Sequence, residues 1–552
     1  MKVLFCASEC APFVKTGGLA DVVGSLPKAL LASDVDVRVV LPKYRQIDYY
    51  YVSQMEHVAH FNLQFGSYRV FCGVDTLLLD GVRFYFIDNL AMFGGDQIYT
   101  GDEQEGFRFA FFCRAVLEML PYIDFYPDVL HCHDWQTGLI PVLLHEQYHS
   151  IAPYAAIQTV FTIHNLRFQG LFDWTRINSV LGLNEGYFSP DNLEFYGLLS
   201  FMKGGLVFAN RITTVSPTYA EEIRTGYYGE RLDGLLRARQ GVLSGILNGI
   251  DAVSYDPATD IQLCEHYSSK ALANKKLVKA ALQEELGLEK RDVPIIALVT
   301  RLTAQKGLDL LTCVLNDLMQ MDVQLAIVGM GDKYFQDVLR DAHYRYPSRI
   351  AIRYELNEGL ARRVYGGSDL YLMPSQFEPC GLSQMIAMRY GTIPIVRETG
   401  GLKDSVVPYN QYTDEGVGFS FHNYNAHEML GVLRTAVDYW FGDKAMWTRL
   451  QKRAMDADFS WSASAKQYDA LYRDMLGMPK PSPRVPRKRT PKAAPSDVPA
   501  AAEPEKPKEP TPKASEPIKA EAPTPKAAEP IKAEAPTPKA APAKKPAPKR
   551  AK

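Results

Sequence analysis

Short apolar runs that stop in polar residues recur along this chain, with helical patterns between them. That rhythm limits the fold more than any other feature. Residues 2–8 are apolar and are followed by a Gly-rich loop, the helical pattern Leu19 to Leu31, and the buried-strand run Val37 to Pro42. Apolar strand runs alternating with helices predict an α/β fold built on a parallel, doubly wound sheet. The runs 128–134 (DVLHCHD), 159–165 (TVFTIHN), 212–217 (ITTVSP) and 245–250 (GILNGI) continue the plan. They end in His133 and Asp134, His164 and Asn165, Ser216, and Asn248. Ligands bind beyond the carboxyl ends of strands in such sheets, so these ends together predict a cleft. The plainer account of any one of them is a helix N-cap or turn residue. Residues 68–88, with Asp80-Gly81, predict a β-hairpin, and 104–120 a helix.

A second series begins near Val293. Its strand runs are 294–302, 325–332, 349–355, 369–375 and 392–398, and residues 426–476 read as helical. Two similar domains with a cleft between them suit a chain of 552 residues, too long for one core. The pair Gly329 and Gly331 is a weak nucleotide signal, because the rest of the dinucleotide fingerprint is missing. From residue 479 onward Pro, Ala, Lys and Glu dominate, and EPIKAEAPTPKAA occurs at 516–528 and again at 529–541. Such a segment has little to bury and is expected to stay disordered, either as a solvated tail or as a basic tether to an acidic partner.

Charge divides the chain the same way. The last 74 residues hold 18 Lys and Arg against 8 Asp and Glu, while the rest holds 43 against 55. An acidic body argues against a nucleic-acid enzyme and suits a neutral polymer substrate. No apolar run reaches membrane-span length, and the first residues read as a strand, not as a signal or transit segment. Eight scattered cysteines form no CxxC pair, which points away from a zinc site or a disulfide framework and toward a reducing, cytoplasmic chain.

The stretch 374–402 (PSQFEPCGLSQMIAMRYGTIPIVRETGGL) carries the densest chemistry. It reads as a strand end, a sharp loop with Glu378, Cys380 and Gly381, a helix, and a strand ending in Gly400-Gly401. A carboxylate before a helix N-terminus can hold sugar hydroxyls or stabilise positive charge on a sugar carbon, or simply interact with the helix dipole. Arg301 and Lys306 lie just past a strand and can clamp a diphosphate from two sides, Arg with its fork of donors and Lys as a point charge. Their plainer account is an ordinary surface pair. Cys380 has no His nearby in sequence and reads as pocket lining ahead of nucleophile. Lys15, in the Gly-rich loop with Gly17 and Gly18, is a candidate phosphate or sugar contact. The loop 15–21 (KTGGLAD) repeats the TGGL of 399–402.

These residues fall within motifs that resemble bacterial glycogen synthases and plant starch synthases: 15–30 (KTGGLADVVGSLPKAL), 133–139 (HDWQTGL), 161–170 (FTIHNLRFQG), 213–223 (TTVSPTYAEEI), 247–251 (LNGID), 300–311 (TRLTAQKGLDLL) and 374–402. The resemblance runs in order from about residue 1 to 476. It implies a GT-B architecture, two Rossmann-like domains facing a deep interdomain cleft. The N-terminal acceptor-side domain would span 1–250. The nucleotide-sugar domain would span 251–478, with its last helices packing back, and the tail 479–552. It implies a retaining glucosyltransferase that moves glucose from ADP-glucose to the non-reducing end of an α-1,4-glucan, without metal or other cofactor.

By motif, Lys15 and Gly18 would contact the donor with Asp21 nearby. Asp134, His164 and Asn165 would shape the sugar site, and Asn248 would touch donor or acceptor. Arg301 and Lys306 would hold the diphosphate, and Glu378 the glucose, with Cys380, Gly381 and Leu382 around it. Many retaining relatives carry a second Glu where this chain has Ile386, a position the glycogen and starch synthase branch generally leaves without Glu. An aromatic residue that stacks on adenine in many bacterial members is replaced here by Leu356, with Tyr354 two residues away. A UDP-glucose-dependent synthase of the same fold is the nearest alternative. A glucan phosphorylase would need a pyridoxal-phosphate lysine motif, which is not seen. A non-catalytic glucan-binding scaffold is opposed by the intact Arg301, Lys306 and Glu378.

Overall fold

The computed structural model describes residues 1–355 and 357–479. The Leu356 position and the segment read as a tail beyond 479 lie outside them. In chain order the strands are β1 (Lys2–Cys6), β2 (Asp36–Pro42), β3 (Glu56–Phe65), β4 (Tyr68–Leu79), β5 (Val82–Asp88), β6 (Val129–His133), β7 (Gln158–Ile163), β8 (Leu171–Phe172), β9 (Glu194–Phe195), β10 (Leu198–Ser200), β11 (Arg211–Thr214) and β12 (Leu243–Gly245). The second series is β13 (Ile295–Val299), β14 (Gln324–Val328), β15 (Ile350–Arg353), β16 (Leu370–Met373), β17 (Ile393–Arg397) and β18 (Phe419–Phe421).

A nine-stranded sheet runs β12-β11-β7-β6-β1-β2-β5-β4-β3, and a six-stranded sheet runs β15-β14-β13-β16-β17-β18. The second sheet is parallel throughout. The first is parallel except for the β3–β4–β5 meander, which closes on Asp80 and Gly81, both at positive φ. Two left-handed residues in a row match the twist of a two-residue hairpin, as the Asp-Gly pair predicts. The edge strand β3 and the small antiparallel sheet β8-β10-β9 have no counterpart in the sequence reading. The strand expected at 245–250 is displaced: β12 spans Leu243–Gly245 and shares only Gly245 with that run, and a Cβ on Gly245 would lie 2.1 Å from the Ser216 carbonyl oxygen.

Each sheet reverses its direction of winding once. From β1 the chain winds outward to β2, while β6 lies on the other side of β1 and leads away to β7. In the second sheet β13 leads to β14 and β15 on one side, and β16 leads to β17 and β18 on the other. Such reversals leave a crevice between diverging loops at the carboxyl ends of the strands. The loops at these four strand ends are the ones that carry Lys15, Asp134, Arg301 and Glu378.

The chain crosses between the halves twice, and the two crossings lie side by side. Ile250 N–H donates to the Phe459 carbonyl at 2.8 Å, and Ile250 bridges Ser460 in parallel. The last helix, Trp461–Met475, then packs on the helix Gly18–Leu31 and gives Trp461, Ala465, Tyr468 and Tyr472 to the first core. Tyr472 Oη lies 2.7 Å from His131 Nδ1 in that core. Gly249 makes the crossing possible, because a Cβ there would sit 2.6 Å from the Trp461 backbone nitrogen. Gly249→Val is therefore expected to destabilise the fold by about 1–3 kcal/mol through overpacking against backbone, read as a lower unfolding midpoint in denaturant.

Candidate active site

The two crevices open onto one cavity of about 1330 Å³. All thirteen residues that the family motifs assign to the site line it: Lys15, Gly18, Asp21, Asp134, His164, Asn165, Asn248, Arg301, Lys306, Glu378, Cys380, Gly381 and Leu382. Ser216 does not. Its hydroxyl caps the helix Pro217–Glu222 by accepting from Tyr219 N–H, and it donates to the Pro379 carbonyl at 2.6 Å. Tyr354 is also engaged elsewhere, with its hydroxyl donating to the Gln336 carbonyl at 2.6 Å.

On the second half, Lys306 Nζ donates to Glu378 Oε2 at 2.5 Å, and the Ser375 hydroxyl donates to the same oxygen at 3.1 Å. Both charged groups are largely buried, with side chains 17% and 9% exposed. Arg301 is exposed at the cavity rim with its guanidinium unpaired among the described residues. The Glu378 loop is held by close backbone packing. Gly400, at φ 44°, would place a Cβ 2.0 Å from the Glu378 carbonyl oxygen, and Gly401 would place one 2.2 Å from that of Cys380. Gly401 N–H donates to the carbonyls of Glu378 and Pro379. Burial holds the Cys380 thiol up at about 12, against hydrogen bonds from Asn248. It stays protonated at neutral pH and is a poor nucleophile.

The likeness between residues 15–21 and 399–402 does not extend to position. The first loop lines the cavity, with Lys15 Nζ 2.7 Å from Asp21 Oδ1. Backbone groups at Gly17 and Gly18 open the helix Gly18–Leu31, whose first N–H groups have no side-chain cap. The second loop is a buried buttress. Its helix start is already occupied by a carboxylate from the other half, Glu222, which accepts from Gly400 N–H and from the Thr399 hydroxyl.

On the first half, Asp134 stands at φ 56° and ψ 179°, backbone nearly reserved for glycine. This turns its carboxylate back onto the next strand end, where it accepts from His164 N–H at 2.7 Å and more weakly from Asn165 N–H. Burial pushes its carboxyl up to about 7, against those two N–H donors, with the Glu9 charge adding. Burial also drives the His164 imidazole down to about 3, so the ring is neutral. Sequence reasoning passed over Glu9, which is 4% exposed and accepts from Thr16 N–H and from its hydroxyl. Burial raises its carboxyl in spite of the bonds from Thr16 and Gly17. A Glu just after an apolar strand was the available signal. Tyr99, also on the wall, offered none.

The raised Asp134 carboxyl has a stability consequence. The unfolded group ionises near 3.8 and the folded one near 7. Its contribution is fully present below the lower value and is lost as pH rises through the upper one. Asp134→Asn is therefore expected to match the parent near pH 4. It should melt higher above pH 7, by roughly a few degrees in scanning fluorimetry across that range.

A starch synthase catalytic domain model matches residues 2–238, and a glycosyl transferases group 1 model matches residues 281–452. The glycogen synthase of Geobacillus thermodenitrificans is 54% identical over 477 residues, covering 86% of this chain and 98% of that protein. That of Clostridium acetobutylicum is 48% identical over 478 residues, covering 86% and 100%. Among solved structures, the catalytic domain of starch synthase IV from Arabidopsis thaliana, bound to ADP and acarbose, aligns with a TM-score of 0.80 at 34% identity, covering 86% and 99%. Sucrose-phosphate synthase from Thermosynechococcus elongatus shares the fold at a TM-score of 0.54 and 19% identity. With two Rossmann-like halves around a shared cavity and this degree of identity along nearly the full length of its relatives, the chain belongs to the glycogen and starch synthase family.

Proposed function

We propose that this chain transfers glucose from ADP-glucose to the non-reducing 4-hydroxyl of an α-1,4-glucan with retention at the anomeric carbon, and so elongates glycogen. One observation carries the reading. The cations Arg301 and Lys306 and the carboxylate Glu378 line the reversal of the second sheet, across one cavity from Lys15 at the reversal of the first and His164 at the neighbouring end of β7. The cavity exceeds the volume of a typical small-molecule pocket and has room for a nucleotide-sugar with the end of a glucan chain. The Arabidopsis relative's ADP and acarbose are ligands of those same two classes.

In this reading Arg301 and Lys306 neutralise the diphosphate as it leaves, a task a metal would otherwise perform. Lys306 is already balanced by Glu378 in the free cavity. An arriving diphosphate draws the ammonium toward itself, and Glu378 turns its lone pairs to the sugar hydroxyls. The glucosyl carbon becomes cationic beside the His164 backbone and ring, and the acceptor hydroxyl attacks from the face the diphosphate leaves. The departing phosphate oxygen helps to take the acceptor proton. No enzyme nucleophile is needed, in keeping with the protonated Cys380 thiol. All eight cysteines are unpaired, which suits a reducing, cytoplasmic setting. No helix among the described residues is long and apolar enough to cross a membrane.

Lys306→Ala and Glu378→Ala are each expected to lower the transfer rate by roughly 100-fold or more while the fold survives, since removing one preorganised group of this kind costs about 3–4 kcal/mol. Near-normal rates in both would overturn the assignment. In the same assay, labelled glucose is expected to enter glycogen from ADP-glucose in preference to UDP-glucose, at a rate unchanged by EDTA. A rate that collapses with chelator and returns with a divalent ion would place the diphosphate on a metal instead.

A further inference from the structure

The ring of His133 at the end of β6 is fully buried and lies outside the cavity. It packs against Phe5 at 5.1 Å and against His131 at 4.2 Å, and those two rings lie 4.6 Å from each other, so the three form one buried cluster. Its Nδ1 lies 3.0 Å from His164 Nε2. Its other nitrogen, Nε2, is buried without a hydrogen-bond partner among the described residues. A neutral imidazole carries one N–H and one bare nitrogen, and its partners decide which is which. Burial, with the His131 and His164 rings adding, keeps His133 far below its usual titration range and therefore neutral.

Two proton placements satisfy the 3.0 Å contact. In one, His133 carries its proton on Nε2, and this leaves a buried N–H with no acceptor. In the other the proton is on Nδ1 and is donated to His164, and only a lone pair is left bare. Buried N–H groups without acceptors are the rarer and costlier defect. The second placement fixes His164 as well. Its Nε2 accepts, so its own proton sits on Nδ1, which has no hydrogen-bond partner among the described residues and belongs to a residue that lines the cavity.

We infer that His133 is a positioning residue for glucosyl transfer: by donating Nδ1–H to His164 Nε2 it locks His164 in the Nδ1–H tautomer and presents that N–H to a hydroxyl oxygen of the bound sugar. This rests on the reading of His164 as a sugar-site residue. A donor on this wall complements the acceptor Glu378 on the other, so a hydroxyl between them is told which oxygen lone pair and which proton to use. The opposite tautomer would present two acceptors to the same sugar.

The test uses the full-length protein. Long-range 1H–15N spectra of the ligand-free enzyme, with His164 assigned from its loss in His164→Ala, are expected to show a bare Nε2 and a protonated Nδ1. A protonated Nε2 overturns the inference whatever the variants do. His133→Leu, which cannot donate, is expected to lower kcat at least tenfold with a smaller change in KM for ADP-glucose. His133→Asn, whose amide nitrogen replaces Nδ1, is expected to return most of that loss, whereas His133→Gln, whose amide reaches the Nε2 position, is not. A His133→Leu protein that is folded and fully active, or a folded His133→Asn no better than Leu, would refute the role. An active His164→Ala would instead remove the sugar-site reading and leave the tautomer result standing.

Discussion

The position of the Glu378 loop is the constraint on which the cavity depends, and residues from both halves set it. From its own half, Gly400 and Gly401 press their backbone onto the carbonyls of Glu378 and Cys380. From the other half, the Ser216 hydroxyl holds the Pro379 carbonyl, and Thr218 donates to Asp404 through both its backbone and its hydroxyl. The Glu222 carboxylate sits on the N-terminus of the helix Gly400–Ser405. Lys306 and Ser375 of its own half bond the Glu378 carboxylate, and a seam of hydrogen bonds from the other half pins the loop that carries it. Parallel sheets alone would leave two open crevices; this seam makes them one site.

Electrostatics divides the cavity along the same line. The first half contributes buried carboxyls held above their ordinary range by desolvation, Glu9 and Asp134, the neutral His164 imidazole, and the ion pair of Lys15 with Asp21. The second half contributes cations near a carboxylate. A nucleotide-sugar is itself divided, with an anionic diphosphate at one end and a neutral, hydroxyl-rich ring at the other. In the proposed reading Arg301 and Lys306 meet the diphosphate, while Glu378 and, across the cavity, His164 meet the ring hydroxyls.

Much of this is legible in the residues, because strand ends in a parallel sheet leave a local mark. A run such as residues 128–134 must be apolar where it is sandwiched by helices and polar where it emerges, and Asp134 and His164 stand at those exits. The family motifs joined exits far apart in sequence. What stayed hidden depends on contacts between distant segments. Ser216 looked like Asn248 but is used as a cap and an inter-half tie. The TGGL of 399–402 looked like that of 16–19 but serves as a buttress. The strand read at 245–250 lies earlier, at Leu243–Gly245, because the chain beyond it leaves the sheet to bridge Ser460 through Ile250. Edge strand β3 alternates too weakly to announce itself, being exposed on most of its length. Whether a polar residue at a strand end faces a ligand or a neighbouring segment is decided by the other half of the chain.

The return of the last helix to the first core has a consequence for how the molecule comes to be. Tyr468 and Tyr472 are fully buried among residues of the first half, and Tyr472 partners His131 on its central strands. As the chain leaves the ribosome, the first half emerges early but lacks these residues until almost the whole described body has been made. The second half has no such debt and holds its own core of strands and helices. Domains commonly fold in the order in which they are synthesised. Here the order of completion is inverted: the part made first is the part finished last, sealed by the closing helix.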